Sequence, residues 1–307
     1  MSKFNLGYSY NIIKTLIINS TYSYLNLNFN NSYMFYQLEL LSDEQNEKLK
    51  EIRNFIKNLN SVCVAYSGGV DSTLVASLAF EQLGSKAIAI TGVSPALAKT
   101  LLEEAKTQAR WIGIQHLEIE TSELDQPSYS ENPKNRCFAC KKELHKHTTF
   151  LSKKLNYKIV CDGVNLDDLD DYRPGIQAAK EAGVLSPLAL FKFTKKDIRD
   201  ISRALGFPWW DKPAQPCLSS RFPYGNLITN ERLNMVEKAE EYIKKGSISE
   251  VRVRCHGSTA RIEIPKNELL IFCKEYDFNE LVNYFSNLGF NSTSLDLEGL
   301  ISGKLNR

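Results

Sequence analysis

The run Val62-Cys63-Val64-Ala65-Tyr66, followed at once by Ser67-Gly68-Gly69-Val70-Asp71-Ser72, restricts this chain more than any other stretch. A short apolar run of this kind is a buried strand. The small residues after it allow a tight turn directly into a helix over 71–83. Such a unit places unpaired N–H groups and the positive end of a helix dipole at the tip of a strand, where a phosphate can be held. Ser67 and Ser72 add hydroxyl donors, and Asp71 can hold Mg²⁺ against phosphate oxygens. The Gly-Lys spacing of a Walker A loop is absent.

The same alternation continues. Ahead of the first strand, 41–59 reads as a helix with Ser42 as its N-cap. Behind it come strands over 86–91, 114–119 and 158–161, and a short extended piece at 184–186. Helices over 97–111, 141–155, 174–182 and 194–205 lie between and after them. Strand and helix in alternation predict an α/β fold, a doubly wound parallel sheet covered on both faces. After a Pro-rich connection at 208–225 the pattern changes to a helix over 230–245, strands over 251–255 and 260–264, a last helical region and the stretch 290–297. That predicts a smaller α+β unit, with a nucleotide-binding domain over 41–210 and a second domain over 211–307.

Residues 1–40 read as an extension. The first 33 are rich in Asn and Tyr and hold no acidic residue, which suggests disorder or a true start at Met34. Lys14 interrupts the apolar stretch Ile12–Ile18, a poor match to a signal-peptide core. No apolar run approaches a membrane span. A net charge of +2 in 307 residues argues against a dedicated nucleic-acid binder. The seven cysteines are odd in number and unaccompanied by a secretion signal, so a reducing, cytoplasmic setting is expected.

Two further strand ends point to the same edge of the sheet, where α/β proteins bind ligands. Thr91-Gly92-Val93 closes the second strand; Gly163-Val164-Asn165, followed by Asp167 and Asp168, closes the fourth. The cysteines form a third signal. Cys137 and Cys140 make a C-x-x-C at a helix start, and Cys217 follows far downstream in Pro216-Cys217-Leu218-Ser219-Ser220-Arg221. Zinc would require a fourth ligand, for which His145 or His147 is available. Three thiolates on a 4Fe–4S cluster would leave one iron open to an extra sulfide. The plain alternative is buried thiols, the reading given to Cys63, Cys161, Cys255 and Cys273. Arg252 and Arg254 share one strand face, which by itself suggests a solvated surface with ion pairs. Trp209-Trp210 reads as packing.

The hexapeptide Ser67–Ser72 resembles the PP-loop of ATP pyrophosphatases, which split ATP between the α- and β-phosphates and transfer AMP to an oxygen. From about Leu41 onward the chain resembles the LarE family of ATP-dependent sulfur transferases. The resemblance rests on SGGVDS, the RCxxCK segment at 136–141, Arg173-Pro174-Gly175, the WDKPAxPCLSSRFPYG block at 210–225, and the strands V-R-V-R at 251–254 and A-R-I-E at 260–263. It implies ATP and Mg²⁺ as cofactors, with adenine beside Thr91, Gly92 and Val93 and further ATP contacts from Gly163, Asn165 and Asp168. It implies adenylation of a carboxylate of pyridinium-3,5-biscarboxylic acid mononucleotide. Sulfur then displaces AMP, on the route to the nickel-pincer nucleotide of lactate racemase. Some members sacrifice the cysteine matching Cys217. Others use three cysteines and a 4Fe–4S cluster, and Cys137, Cys140 and Cys217 match that type. Ser220, Arg221, Arg252 and Arg254 match substrate-phosphate positions, with Glu240 and Glu263 beside them. The resemblance also implies a homo-oligomer and a sulfide or other sulfur donor. Two other functions use the same loop: a tRNA thiolase, and an amide-forming ligase of the NAD or GMP synthetase type, which leaves the three cysteines without a purpose.

Overall fold

The computed structural model describes residues 35–169, 174–301 and 303–304. The expectations for residues 1–34 and for Arg173 fall outside these. Phe35–Leu40, expected to belong to the extension, runs along the first core: the Phe35 N–H donates to Glu81 Oε1 at 3.0 Å, and the Leu38 N–H to the Ala204 carbonyl at 2.6 Å.

Four strands form a parallel sheet: β1 (Val62–Ala65), β2 (Ala87–Val93), β3 (Gln115–Glu120) and β4 (Ile159–Cys161), in the order β3-β2-β1-β4. The 184–186 piece extends the sheet only by a parallel bridge from Leu185 to Cys161. Strand alternation assigns side chains to two faces. Val62, Val64, Ala87 and Ala89 enter one core with helices α1 (Asp43–Asn58), α2 (Val70–Leu83) and α3 (Lys99–Ile112). Cys63, Ile88, Ile90 and Val160 enter the opposite core, covered by Leu151 of α4 (Arg136–Lys154) and Ala179 of α5 (Pro174–Glu181). The sheet is therefore doubly wound. Ser42 caps α1 with a full capping box, as does Thr194 for α6 (Lys195–Ala204), which fixes both starts.

The second sheet pairs β5 (Arg252–His256) antiparallel with β6 (Thr259–Glu263), and β6 parallel with β7 (Ser292–Leu295). Helix α7 (Asn230–Ile243) and Phe285 of α9 (Phe278–Leu288) supply its core, with Phe272 from α8 (Leu269–Glu275). That core also takes in Ala96, Tyr129 and Ala139 from the region around the first sheet. The Pro-rich connection is stitched down along its length: the Leu218 N–H donates to the Ala96 carbonyl, and the Gly225 N–H to the Asn132 carbonyl, each at 2.9 Å. The described residues cluster as one compact unit.

Some expectations need correction. Helix α4 begins at Arg136 rather than Lys141, so the C-x-x-C forms its first turn. Charged and thiol side chains there hide the apolar period. Cys273 is exposed rather than packed, whereas Cys63, Cys161 and Cys255 are buried. Trp209 packs against the first core, its ring edge-to-face with Trp111 at 5.0 Å. Trp210 lies under the Arg203 guanidinium at 5.1 Å.

Candidate active site

The turn from β1 into α2 is closed by its own hydroxyls. Ser72 Oγ accepts from the Ser67 N–H at 3.2 Å, lies 3.1 Å from Ser67 Oγ and donates to the Gly69 carbonyl at 3.2 Å. Gly68 has φ of +68° and sits against Ala105 of α3, with no room for a Cβ. Gly163, at the end of β4, comes so close to α2 that a Cβ would stand 2.6 Å from the Ser72 nitrogen. The loop is thus wedged between neighbouring elements, with the N–H groups of the α2 start unused by the helix.

Asp71 and Asp168 stand near each other beside this loop. Burial, and next the Asp168 charge, push the Asp71 carboxyl above its ordinary range. Asn165 Nδ2 donates to Asp71 Oδ1 at 3.2 Å, and its backbone N–H to Asp168 Oδ2 at 3.3 Å. Lys195 Nζ lies 3.4 Å from Asp168 Oδ1. Asp71, half-buried, and Asp168, buried, are the carboxylates beside the loop that would hold a divalent cation.

Two cavities, each of about 450 Å³, open on the loop and share Ser67, Gly69, Asp71, Cys137 and Lys141. The first gathers Cys137, Cys140 and Cys217 with the cations Arg136, Lys195, Arg199 and Lys212. The second runs beneath α4, past Leu144, His145, Val164 and Ile176. Lys212 reaches from the connection to the loop itself, donating to the Gly68 carbonyl at 3.1 Å, and pairs with Glu104 at 2.6 Å. No motif in the sequence marks Lys195 or Arg199 as functional, and Lys212 falls in the 210–225 block without being singled out there. The available signal is spacing: Lys195 and Arg199 stand four apart on α6, which puts them on one helix face.

The three cysteines therefore converge on the cavity of the phosphate loop. Burial, with the Glu123 carboxylate next in effect, pushes the Cys140 thiol up to about 12. Among the described residues, no group of three or more His, Cys, Asp or Glu side chains is gathered tightly enough for a metal ion. A single zinc draws its sulfur ligands to about 2.3 Å from one centre, and neither histidine joins the thiols: His147 pairs with Glu143 at 2.7 Å, and His145 faces the other cavity. Cys137, Cys140 and Cys217, which line one cavity, are the thiols that a multi-iron cluster would take as donors.

Thr91 is buried, its hydroxyl donating to the Tyr66 carbonyl at 2.8 Å. Gly92 lies against Leu144. Thr91, Gly92 and Val93 line neither cavity.

Ser220, Arg221, Arg252, Arg254, Glu240 and Glu263 come together away from the loop. Arg221 gives Nε and Nη2 to the two oxygens of Glu240 at 2.8 and 3.0 Å, and Nη1 to the Pro216 and Cys217 carbonyls at 2.8 and 3.2 Å. Arg254 gives Nε to Glu263 at 2.9 Å and Nη1 to the Ser220 carbonyl at 2.7 Å. Arg252 pairs with Glu250 at 3.1 Å, and burial and the facing Arg221 hold its guanidinium below the usual arginine range. This face is no solvated surface: Arg254 is 4% exposed and Glu263 0%. The turn Leu218–Arg221 covers it. Arg221 and Glu240 thereby clamp the segment that carries Cys217.

A doubly wound parallel sheet with a Ser-Gly-Gly-x-Asp-Ser turn leading into a helix defines a nucleotide-binding α/β domain of the PP-loop type. No protein-family model matches the chain. It is 54% identical over 260 residues to an uncharacterized protein of Synechocystis sp., covering 85% of this chain and 97% of that one. It is 34% identical over 253 residues to pyridinium-3,5-bisthiocarboxylic acid mononucleotide synthase of Lactiplantibacillus plantarum, covering 82% and 91%. A glutamine-hydrolyzing GMP synthase chain of Saccharolobus islandicus is 27% identical over 210 residues, 60% of this chain and 54% of that one. The chain belongs to the pyridinium-3,5-bisthiocarboxylic acid mononucleotide synthase family, LarE. No helix among the described residues is long and apolar enough to cross a membrane.

Proposed function

We propose that this chain is an ATP-dependent sulfur transferase. It adenylates a carboxylate of pyridinium-3,5-biscarboxylic acid mononucleotide and replaces one of its oxygens with sulfur. The observation that carries the reading is the cavity in which Ser67, Gly69 and Asp71 meet Cys137, Cys140 and Cys217. Activation and sulfur delivery then occur in one space.

In the first half-reaction a substrate carboxylate oxygen attacks the α-phosphorus of ATP. The α–β bridging bond breaks, and pyrophosphate leaves with its electron pair. The α2 N-terminus and Ser67 bind the phosphates, Lys195 and Lys212 offset the charge on the leaving group, and Asp71 and Asp168 would hold Mg²⁺, which when bound supplies further charge neutralisation. In the second half-reaction sulfur adds to the activated carbonyl carbon. The carbon–oxygen bond to AMP then breaks and leaves a thiocarboxylate. A carboxylate is a poor electrophile, whereas AMP leaves readily from an acyl carbon, so adenylation makes the exchange feasible. Cys137, Cys140 and Cys217 would hold a 4Fe–4S cluster, which supplies sulfide when bound. The Arg221–Glu240 clamp fixes the backbone of Cys217 at that cavity.

The test is pyrophosphate release by purified protein. Release that depends on the pyridinium biscarboxylate mononucleotide supports the reading. Release that instead requires xanthosine monophosphate and ammonia would replace it with an amide-forming ligase.

A further inference from the structure

The cysteines sit on two stretches, the first turn of α4 and the connection at 208–225, and a short strap ahead of α4 ties the two together. Its centre is Asn132, which is 0% exposed and lies in the left-handed region at φ of +54°. Asn and Asp enter that region more readily than most residues with a side chain. Every polar group of Asn132 is used. Its N–H donates to the Tyr129 carbonyl, and its own carbonyl accepts from the Gly225 N–H, each at 2.9 Å. Its Nδ2 donates to the Phe222 and Pro223 carbonyls at 3.2 and 2.8 Å. Its Oδ1 accepts from Arg136 Nη1 at 2.8 Å. Arg136 opens α4 and directly precedes Cys137, while Phe222 ends the turn that Cys217 leads into. One side chain thus bonds the C-x-x-C turn at one end and the Cys217 connection at the other. Three residues earlier, Tyr129 lines the cysteine cavity, and its hydroxyl lies 2.6 Å from Ser219 Oγ.

The partners allow only one orientation of the amide: two carbonyl oxygens need its donor end, and the guanidinium needs its acceptor end. We infer that Asn132 is a positioning residue for sulfur delivery, setting where Cys217 stands relative to Cys137 and Cys140. Its consequence for the reaction rests on the sulfur-transfer reading proposed above. The Arg221–Glu240 pair acts on a different link, since it ties the Cys217 segment to α7, whereas Asn132 ties it to α4. Asn132→Asp separates the two ends of the strap. Aspartate keeps the size, the left-handed backbone and the acceptor for Arg136, but it turns an oxygen toward the Phe222 and Pro223 carbonyls, acceptor against acceptor. Asn132→Gly keeps the backbone and the Gly225 bond and removes the side chain altogether.

The experiment treats the full chain, reduced and free of metal, with dibromobimane, which joins two thiols only when they are close. Peptide mass spectrometry separates the Cys137–Cys140 bridge, made within one turn of α4, from bridges of either one to Cys217. Wild type should give both kinds. Asn132→Asp should lower the Cys217 bridges about tenfold without lowering the Cys137–Cys140 bridge, the shift expected for two lost hydrogen bonds of ordinary net strength. Asn132→Gly should do the same. In both variants substrate-dependent pyrophosphate release should stay within about twofold of wild type while thiocarboxylate formation falls about tenfold. Unchanged Cys217 bridges in both variants would overturn the assignment. So would an equal loss of both kinds of bridge, which marks a general loosening of the fold, or a wild type in which Cys217 bridges to neither cysteine. Bridges that change as expected in a protein whose wild type forms no thiocarboxylate would support the positioning and remove the sulfur-transfer reading, so the two failures are distinguishable.

Discussion

Glu240→Gln is the substitution whose cost the structure defines best. The Glu240 carboxylate is 4% exposed and accepts three hydrogen bonds, two from Arg221 and one from the Val253 N–H at 2.9 Å. Glutamine keeps one acceptor oxygen but turns an NH₂ toward Arg221, donor against donor. The guanidinium is left buried without its counter-charge, and breaking a buried pair in this way costs about 3–5 kcal/mol. Because Arg221 Nη1 also holds the Pro216 and Cys217 carbonyls, the damage reaches the cysteine cavity. Urea unfolding should show the midpoint falling by roughly 1–3 M at an m-value of a few kcal/mol/M. Pyrophosphate release should survive in the folded fraction while sulfur transfer falls. The double variant Arg221→Met with Glu240→Leu should recover part of the lost stability, since an apolar pair of similar volume leaves no buried charge. A cost below about 1 kcal/mol for Glu240→Gln, or a double variant as unstable as the sum of its singles, would refute the clamp.

Other expectations follow from the same geometry. Cys217→Ala should abolish thiocarboxylate formation and leave substrate-dependent pyrophosphate release within a few-fold of wild type, read by coupled assay and mass spectrometry. Asp71→Asn should slow pyrophosphate release about a hundredfold, roughly 3 kcal/mol of transition-state stabilisation. It should not lower the melting temperature measured without Mg²⁺, because it removes a repulsion with Asp168. For His145, whose pKa falls from 6.5 to about 4, the unfolded chain takes up the proton first as pH drops. Stability is then lost between about pH 6.5 and 4, by up to about 3 kcal/mol. Asp71 and Asp162, whose carboxyls burial pushes up, act in the opposite direction, so the slope of wild type minus His145→Leu isolates the histidine.

The sheet is legible in the sequence because its signals are local. Val62–Tyr66 announces a buried strand, and Ser67–Ser72 can do little but turn into a helix. Ser42 and Thr194 announce helix starts by their own side chains. The first turn of α4 is not legible, because Arg136, Cys137 and Cys140 carry no apolar period. The meeting of Cys217 with the C-x-x-C depends on how the 208–225 connection folds back, stitched by Leu218 to Ala96 and by Lys212 to Gly68. No spacing in the chain encodes that. Nor can a sequence say where an arginine's donors go. Arg221 and Arg254 read as phosphate ligands, yet in the structure their Nε atoms are given to Glu240 and Glu263. In the sequence His145 stands out only as a spare metal ligand, since its buried, unpaired Nδ1 exists only once α4 is packed.

The most direct test is the product itself. Protein purified without oxygen is incubated with ATP, Mg²⁺, sulfide and pyridinium-3,5-biscarboxylic acid mononucleotide, and the nucleotide is then examined by mass spectrometry. The account predicts a product in which sulfur has replaced a carboxylate oxygen, formed in step with AMP and pyrophosphate and absent with Cys217→Ala. AMP and pyrophosphate released with the substrate's oxygen content unchanged, in every preparation that carries all three cysteines, would contradict it.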